Sequence, residues 1–91
     1  MDMNDYRGKN RLWSARKAAG LTQQQVAHIL GYKSTAQISR WEKGLRLPNT
    51  VDLLKLSVIY HRLANDLLFD LYLSCKNEIN HRIQNLNGNT C

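Results

Sequence analysis

Three glycines divide the first half of this sequence into short segments, and each follows a run whose apolar residues are spaced as in a helix. Gly20, Gly31 and Gly44 stand where a helix end favours a residue that adopts a positive φ without strain. Pro48 marks a further break between helical segments, because proline lacks the amide hydrogen that a helix interior requires. Few β-branched clusters or alternating stretches favour strands. The pattern predicts an all-α chain of short helices.

Two pairs of polar residues have the spacing of a capping box, which marks the start of a helix. Thr22 with Gln25 predicts one start, and Ser34 with Gln37 predicts the next. An earlier helix is expected from residue 9 or 10 to residue 19, with Leu12 on its apolar face.

Two further helices are predicted after Pro48. One begins at Asn49 or Thr50, with Asp52 in the first turn, where a carboxylate suits the helix dipole. Its apolar residues cover so much of its surface that burial on two sides is expected. The last helix is expected to run from about Ala64 into the mid-eighties.

Charge is distributed unevenly along the 91 residues, which suffice for one domain only. Residues 7–46 hold nine basic side chains and one acid, a net +8, whereas residues 47–91 hold four of each and sum to zero. A basic module of this kind favours nucleic acid as a partner, with an anionic membrane surface second.

Several other classes of protein are disfavoured. The two cysteines make no disulfide framework, residues 1–5 are polar and lack the apolar core of a signal peptide, and the stretch from Leu67 to Leu73 is too short to span a bilayer. A cytoplasmic location is expected, without membrane association. His28, His61 and His81 are far apart and lack metal-ligand spacing, so we expect no metal, no cofactor and no enzymatic activity.

The two middle helices form a helix-turn-helix arrangement that resembles a known family. The segments Thr22–Leu30 and Ser34–Lys43 are joined by a tight turn after a glycine. The residues that carry the resemblance are Leu21-Thr22-Gln23, Val26-Ala27, Leu30-Gly31, Ile38-Ser39, Trp41-Glu42, Gly44 and Pro48. They are similar to the helix-turn-helix domain of phage repressors, Cro and the xenobiotic-response-element (XRE) regulators. The resemblance covers about residues 10–70 and implies a five-helix bundle that binds operator DNA, usually as a dimer. The turn is one residue longer than in the phage repressors, which leaves the register of the recognition helix open by one residue.

The second helix of such a motif enters the major groove and contacts bases with its N-terminal residues. Arginine can donate two hydrogen bonds to guanine, and a hydroxyl can hydrogen-bond to either member of a base pair. Alanine can pack against a thymine methyl. The expected base-contacting residues are therefore Thr35, Ala36, Ser39 and Arg40. The alternatives are that the two hydroxyls face solvent and that Arg40 contacts a phosphate.

Phosphate contacts fix the position of such a protein on DNA, and five residues are expected to make them. By the resemblance, Gln23 contacts a phosphate from the start of its helix. The other four are Lys33, Gln37, Lys43 and Arg46. Gln37 has capping as its alternative role. Residues 1–9, with Arg11, are expected to form a basic arm, or else a solvated charged face.

Arg16 and Glu42 are expected, by the resemblance, to form an ion pair that joins the first helix to the third. Trp41 is expected in the core, and Trp13 half exposed at the surface.

A further apolar stripe recurs near the end of the chain. Tyr72, Ile79 and Leu86 are seven residues apart, and Ile83 lies on the same side. We expect residues 71–86 to extend the last helix beyond the bundle and to pair with a second copy, and residues 87–91 to form a flexible tail. The alternative is that the extension folds back or frays.

The sequence thus predicts a sequence-specific regulator that binds double-stranded DNA, acting as a homodimeric repressor on a near-palindromic operator. The alternative is an antitoxin, which binds a toxin protein, or another protein partner, in addition to its own promoter.

Overall fold

The computed structural model describes residues 10–88, with side chains through residue 86. In this range six α-helices follow one another, and no strand is present. They are α1 (Leu12–Ala18), α2 (Gln23–Leu30), α3 (Ala36–Glu42), α4 (Thr50–Tyr60), α5 (Ala64–Leu67) and α6 (Phe69–Gly88). The predicted all-α helix-turn-helix bundle with a C-terminal helix is confirmed. Residues 1–9 of the expected arm and residues 89–91 of the expected tail lie outside the described range.

The ends of α2 are formed as the sequence predicts. The amide of Gln25 donates to Oγ1 of Thr22 at 3.1 Å, and Oε1 of Gln25 accepts from the amide of Thr22 at 2.9 Å. This capping box satisfies two amides that would otherwise lack a partner. At the other end Gly31 has a φ of +86°, and Gly20 and Gly44 have φ values of +73°. The three predicted left-handed glycines are therefore confirmed.

The second predicted capping box is wrong. The helix α3 begins two residues after Ser34, and its N-cap residue Thr35 makes no side-chain capping bond. Oγ of Ser34 instead accepts from the amide of Ala36 at 3.3 Å, because Ser34 lies one residue before the N-cap and forms a local serine turn.

The helix α4 starts at Thr50, as expected, and Oδ1 of Asn49 caps it by accepting from the amide of Asp52 at 2.8 Å. The expected burial on two sides is wrong. Leu56 is buried, but Val51, Leu54 and Val58 are 60%, 55% and 74% exposed. These three form the outer face of α4, which is uncovered because α4 packs against α1 and α5 through its other side.

The core takes one almost completely buried residue from each of the first five helices: Leu12, Val26, Ile38, Leu56 and Leu67. Trp41 is also buried, as predicted, and packs edge to face against Tyr32 with ring centroids 6.0 Å apart. Trp13 is about half exposed. The bundle thus closes with five helices.

The predicted last helix is divided in two at Leu68, whose ψ of 47° is not helical. The bend lets both Leu67 and Leu68 lie in the core while α6 leaves the bundle. The helix α6 has 20 residues and is about 30 Å long. It ends at Gly88, two residues beyond the expected boundary with the tail. In the described range no helix is long and apolar enough to cross a membrane.

Candidate nucleic-acid interface

The turn between α2 and α3 is held by hydrogen bonds to two helices, α2 and α4. The amide of Gly31 donates to the carbonyl of His28 at 3.1 Å, and that of Tyr32 donates to the carbonyl of Ala27 at 2.8 Å. The hydroxyl of Tyr32 donates to the carboxylate of Asp52 at the start of α4. That hydrogen bond raises the pKa of Tyr32, so its hydroxyl stays protonated. The turn therefore holds α3 in a fixed orientation on the bundle.

The burial of Ile38 and Trp41 determines which side of α3 faces solvent. Arg40 lies four residues after Ala36 and three before Lys43, so these residues share one outward-facing stripe of α3. Arg40 and Lys43 are exposed, and Ala36 is partly exposed. Thr35, Gln37 and Ser39 are partly exposed. The residues expected to contact bases are therefore accessible at the N-terminal part of α3 and along its outward side.

Cations dominate the surface around α3. Lys33, Arg40, Lys43 and Arg46 are all exposed, and none forms an ion pair with a carboxylate in residues 10–86. The helices α1 to α3 carry one carboxylate, Glu42, and its charge is compensated by Arg16. The surface therefore attracts a polyanion such as the DNA backbone.

Arg16 and Glu42 form a buried, two-pronged ion pair behind this surface. Nε of Arg16 lies 2.6 Å from Oε2 of Glu42, and Nη2 lies 3.1 Å from Oε1. The side chains are only 7% and 5% exposed. Nη1 of Arg16 also donates to the carbonyl of Leu21 at 3.0 Å. The hydrogen bonds to Glu42 raise the pKa of Arg16, so the guanidinium stays charged in its buried site.

Gln23 takes part in the same network. Its Nε2 donates to Oε1 of Glu42 at 3.0 Å, a contact that the sequence did not predict. An amide nitrogen carries two hydrogens, so one remains for the expected phosphate contact. No local pattern signalled this contact, because Gln23 and Glu42 are 19 residues apart along the chain.

Arg11, which was expected to belong to the basic arm, contacts α5 and α6. Its Nη1 lies 2.6 Å from Oδ1 of Asp66, and its guanidinium carbon lies 4.4 Å from the centroid of the Phe69 ring. Oδ2 of Asp66 accepts from Arg62 at 3.1 Å. The bonds from Arg62 and Arg11 lower the pKa of Asp66. Arg11 thus ties the start of α1 to α5, and the rest of the expected arm, with Arg7 and Lys9, lies outside the described residues.

A concave notch lies beside the first turn of α3, between that turn and α2. It is lined by Gln24 and His28 of α2 and by Lys33, Ser34 and Thr35 of the turn. Sequence reasoning did not assign His28 to any site, because Lys33, Ser34 and Thr35 of the notch lie on the other side of the turn, five to seven residues further along the chain. No pattern of spacing signals that proximity.

Metal-binding groups are scattered in this structure. In residues 10–86 no group of three or more His, Cys, Asp or Glu side chains is placed to hold a metal ion.

The comparison with known families accords with this geometry. A helix-turn-helix family model of the XRE and phage-repressor type matches residues 14–62, just over half of the chain. The protein belongs to this family, and it is a DNA-binding transcriptional regulator. The family is one of regulators and not typically of enzymes. No curated protein and no solved structure matches the chain.

Proposed function

We propose that this protein is a sequence-specific repressor that binds a near-palindromic operator as a homodimer. The observation that carries the proposal is the outer side of α3, where exposed cations have no carboxylate partner among residues 10–86. The buried ion pair of Arg16 and Glu42 supports the opposite side of this helix. A rigidly held helix with exposed cations and hydroxyls has the chemistry needed to contact both bases and phosphates in a major groove.

In this proposal the first part of α3 contacts base edges. Arg40 donates two hydrogen bonds to one guanine, Thr35 and Ser39 bond base edges through their hydroxyls, and Ala36 packs against a thymine methyl. The flanking phosphates are bound by Gln23, Lys33, Gln37, Lys43 and Arg46.

Dimerisation is assigned to the projecting part of α6. Tyr72, Ile79, Ile83 and Leu86 are 41%, 49%, 49% and 67% exposed, although they are large and apolar and share one side of the helix. A stripe of this kind is stabilised by burial against a copy of itself. Two bundles joined in this way would contact half-sites about 34 Å apart, one turn of DNA. Repression then follows from occupancy, because a dimer bound within a promoter excludes polymerase from that DNA.

Selection from a library of random duplexes, with the full chain at moderate salt, tests the proposal. We expect enrichment of a near-palindromic sequence, bound about 10³-fold or more tightly than random DNA at the same salt. A lack of enrichment would show that the protein binds phosphates without sequence preference, and would overturn the proposal.

The antitoxin alternative is favoured by a different observation, the uncovered outer face of α4 with Val51, Leu54 and Val58. An apolar surface of this kind suits a protein partner. If the product of a neighbouring small gene is toxic alone and forms a stable complex with this chain, the alternative holds. Substituting Val58→Glu should then weaken the complex, whereas operator binding should persist.

A further inference from the structure

The apolar stripe of α6 is interrupted at one position by a charged residue. Lys76 lies on the same side of the helix as the stripe, four residues after Tyr72 and three before Ile79. The alternation of four and three residues continues through Ile83 to Leu86, and it is the spacing of the contact positions in two helices that coil around each other. Lys76 is exposed and forms no ion pair with a carboxylate of residues 10–86. A second copy that covers the stripe therefore has to accommodate this lysine.

The surface around Lys76 is shaped to receive a side chain from a neighbouring helix. A groove there is lined by Tyr72, Cys75, Lys76, Ile79 and Asn80. The first four of these residues have the spacing of the four that surround one inserted side chain in a pair of coiled helices. Because one member is already a lysine, the side chain that fits this groove is a large apolar one and not a second lysine.

A parallel pair of α6 helices does not supply such a side chain. Equivalent residues of the two copies then lie at the same level, so the side chain that enters the groove is Lys76 of the second copy. Two ammonium groups would meet in a contact with little water, where like charges repel more strongly than in bulk solvent. Both bundles would also lie at the same end of the pair, where the helix axes are about 8–10 Å apart, although the chain is 20 Å across even in its smallest dimension.

An antiparallel pair with Ile79 of each copy opposite Ile83 of the other supplies the apolar side chain. Lys76 then lies opposite Leu86 of the second copy, so a leucine enters the groove. The levels of the two Lys76 residues are about 15 Å apart along the pair, because ten residues separate positions 76 and 86. This distance is nearly twice the screening length of about 8 Å at physiological ionic strength. The methylene chain of each lysine can cover the opposite leucine while its ammonium group stays in water.

The direction of pairing also sets the distance between the two bundles. The helix α6 leaves its bundle at Phe69. In this antiparallel pair the levels of the two Phe69 residues are about 36 Å apart. Half-sites one turn apart on DNA are separated by about 34 Å. The antiparallel pair therefore separates the bundles by the distance that the proposed operator requires.

We propose that two copies of this protein pair through antiparallel α6 helices, with Ile79 opposite Ile83, and that Lys76 selects this direction. The proposal rests on the proposed homodimer and adds its geometry. Lys76 weakens the stripe as an apolar surface, and in exchange it disfavours the parallel arrangement.

Cysteine cross-linking of the full chain tests the direction of pairing. The background carries Cys75→Ser and Cys91→Ser, and two variants add either Ile79→Cys or Ile83→Cys, one of them with a tag that separates the products by mass. The variants are mixed under reducing conditions and then oxidised. We expect the disulfide between position 79 of one chain and position 83 of the other to exceed the half of all dimers that random pairing gives. A preference for disulfides between equal positions would show parallel pairing and overturn the proposal.

Leu86→Cys in the same background is the matched control. In the antiparallel pair the two positions 86 are about 15 Å apart, well beyond the roughly 7 Å between Cα atoms that a disulfide can span. We therefore expect no disulfide between the chains, and we expect one to form when Lys76→Leu is added, because the charge that disfavours the parallel pair is then gone.

Two results at position 86 would contradict the proposal while the homodimer stands. They are a disulfide that forms with Lys76 in place, and a yield that Lys76→Leu does not raise. If the wild type sediments as a monomer at tens of micromolar, the proposed homodimer itself fails.

Discussion

Gln23 donates a hydrogen bond from Nε2 to Oε1 of Glu42 at 3.0 Å, at the point where α2 and α3 meet. The same carboxylate accepts two bonds from Arg16 of α1. Three helices therefore converge on one buried acid, which sets the angle of the recognition helix relative to the rest of the bundle.

Replacing Glu42→Gln should destabilise the protein by about 3–5 kcal/mol, because Arg16 would keep its charge in a buried site without its partner. DNA affinity should fall as well, although the protein gains positive charge, because α3 loses its support. Urea unfolding and binding to a selected operator check both effects. Glu78→Gln serves as the control, since Glu78 forms an exposed pair with Arg82 and should change stability little. Unchanged stability and affinity for Glu42→Gln would show that the ion pair does not position α3.

Arg40→Ala should weaken operator binding by about 1–3 kcal/mol and relax the preference at one base pair. The reason is that Arg40 is exposed on the outward stripe of α3 and has no carboxylate partner among the described residues. Competition with operators altered at each position identifies that base pair. An equal loss on operator and random DNA would instead assign Arg40 to a phosphate.

Lys43→Ala should weaken binding to all sequences alike and reduce the salt slope by about one. Lys43 is the C-cap residue of α3, away from the first turn of α3 that we propose to enter the groove, and its side chain is exposed. Salt titrations of the wild type and of the variant, on operator and on random duplexes, compare the two affinities and the two slopes. A loss confined to the operator would mean that Lys43 contacts a base.

Ile79→Glu should raise the dimer dissociation constant by about tenfold or more, since pairing would then bury a charge. The bundle should remain folded, because Ile79 belongs to the exposed part of α6. Asn77→Glu adds the same charge on the opposite side of the helix and should leave the dimer intact. Sedimentation of the wild type and of the two variants tests whether this stripe forms the dimer. A wild type that is monomeric at tens of micromolar would contradict the assignment.

Stability should fall above about pH 10, in part through Tyr60. Burial, reinforced by the nearby charge of Glu42, raises the pKa of Tyr60 to about 12. In the unfolded chain a tyrosine ionises near pH 10, so between about pH 10 and 12 the unfolded state alone releases this proton and becomes favoured. Tyr60→Phe should lose less stability over that range than the wild type, as measured by urea unfolding at each pH.

Local patterns predicted much of this fold. The glycines and the cap at Thr22 act through neighbouring backbone atoms, so their signal is contained in a few adjacent residues. The resemblance suggested that Arg16 and Glu42 pair, and the structure joins them. The outward placement of Arg40 followed from the helical spacing of Ile38 and Trp41.

Features that depend on the packing of distant segments were not predictable in the same way. The break at Leu68 arises because two adjacent leucines enter one core, which no spacing rule states. The apolar composition of α4 suggested that two of its sides would be buried. Which helices pack against α4 depends on the fold of the whole chain, and composition alone does not contain that information. The notch likewise joins His28 to Lys33 only after the turn has folded.

The recognition helix is held much more firmly at one end than at the other. At its C-terminal end the carbonyl of Trp41 accepts from Asn10 at 2.9 Å, and Glu42 is bound on two sides, whereas the N-cap residue Thr35 makes no capping bond. The first turn of α3 is held by one local bond, from the amide of Ala36 to Oγ of Ser34, whereas Arg40 stands beside the last turn, which is bound to α1 and α2. Operators of this protein should vary at the base pairs that face Thr35 and Ala36, and should be invariant at the one that faces Arg40.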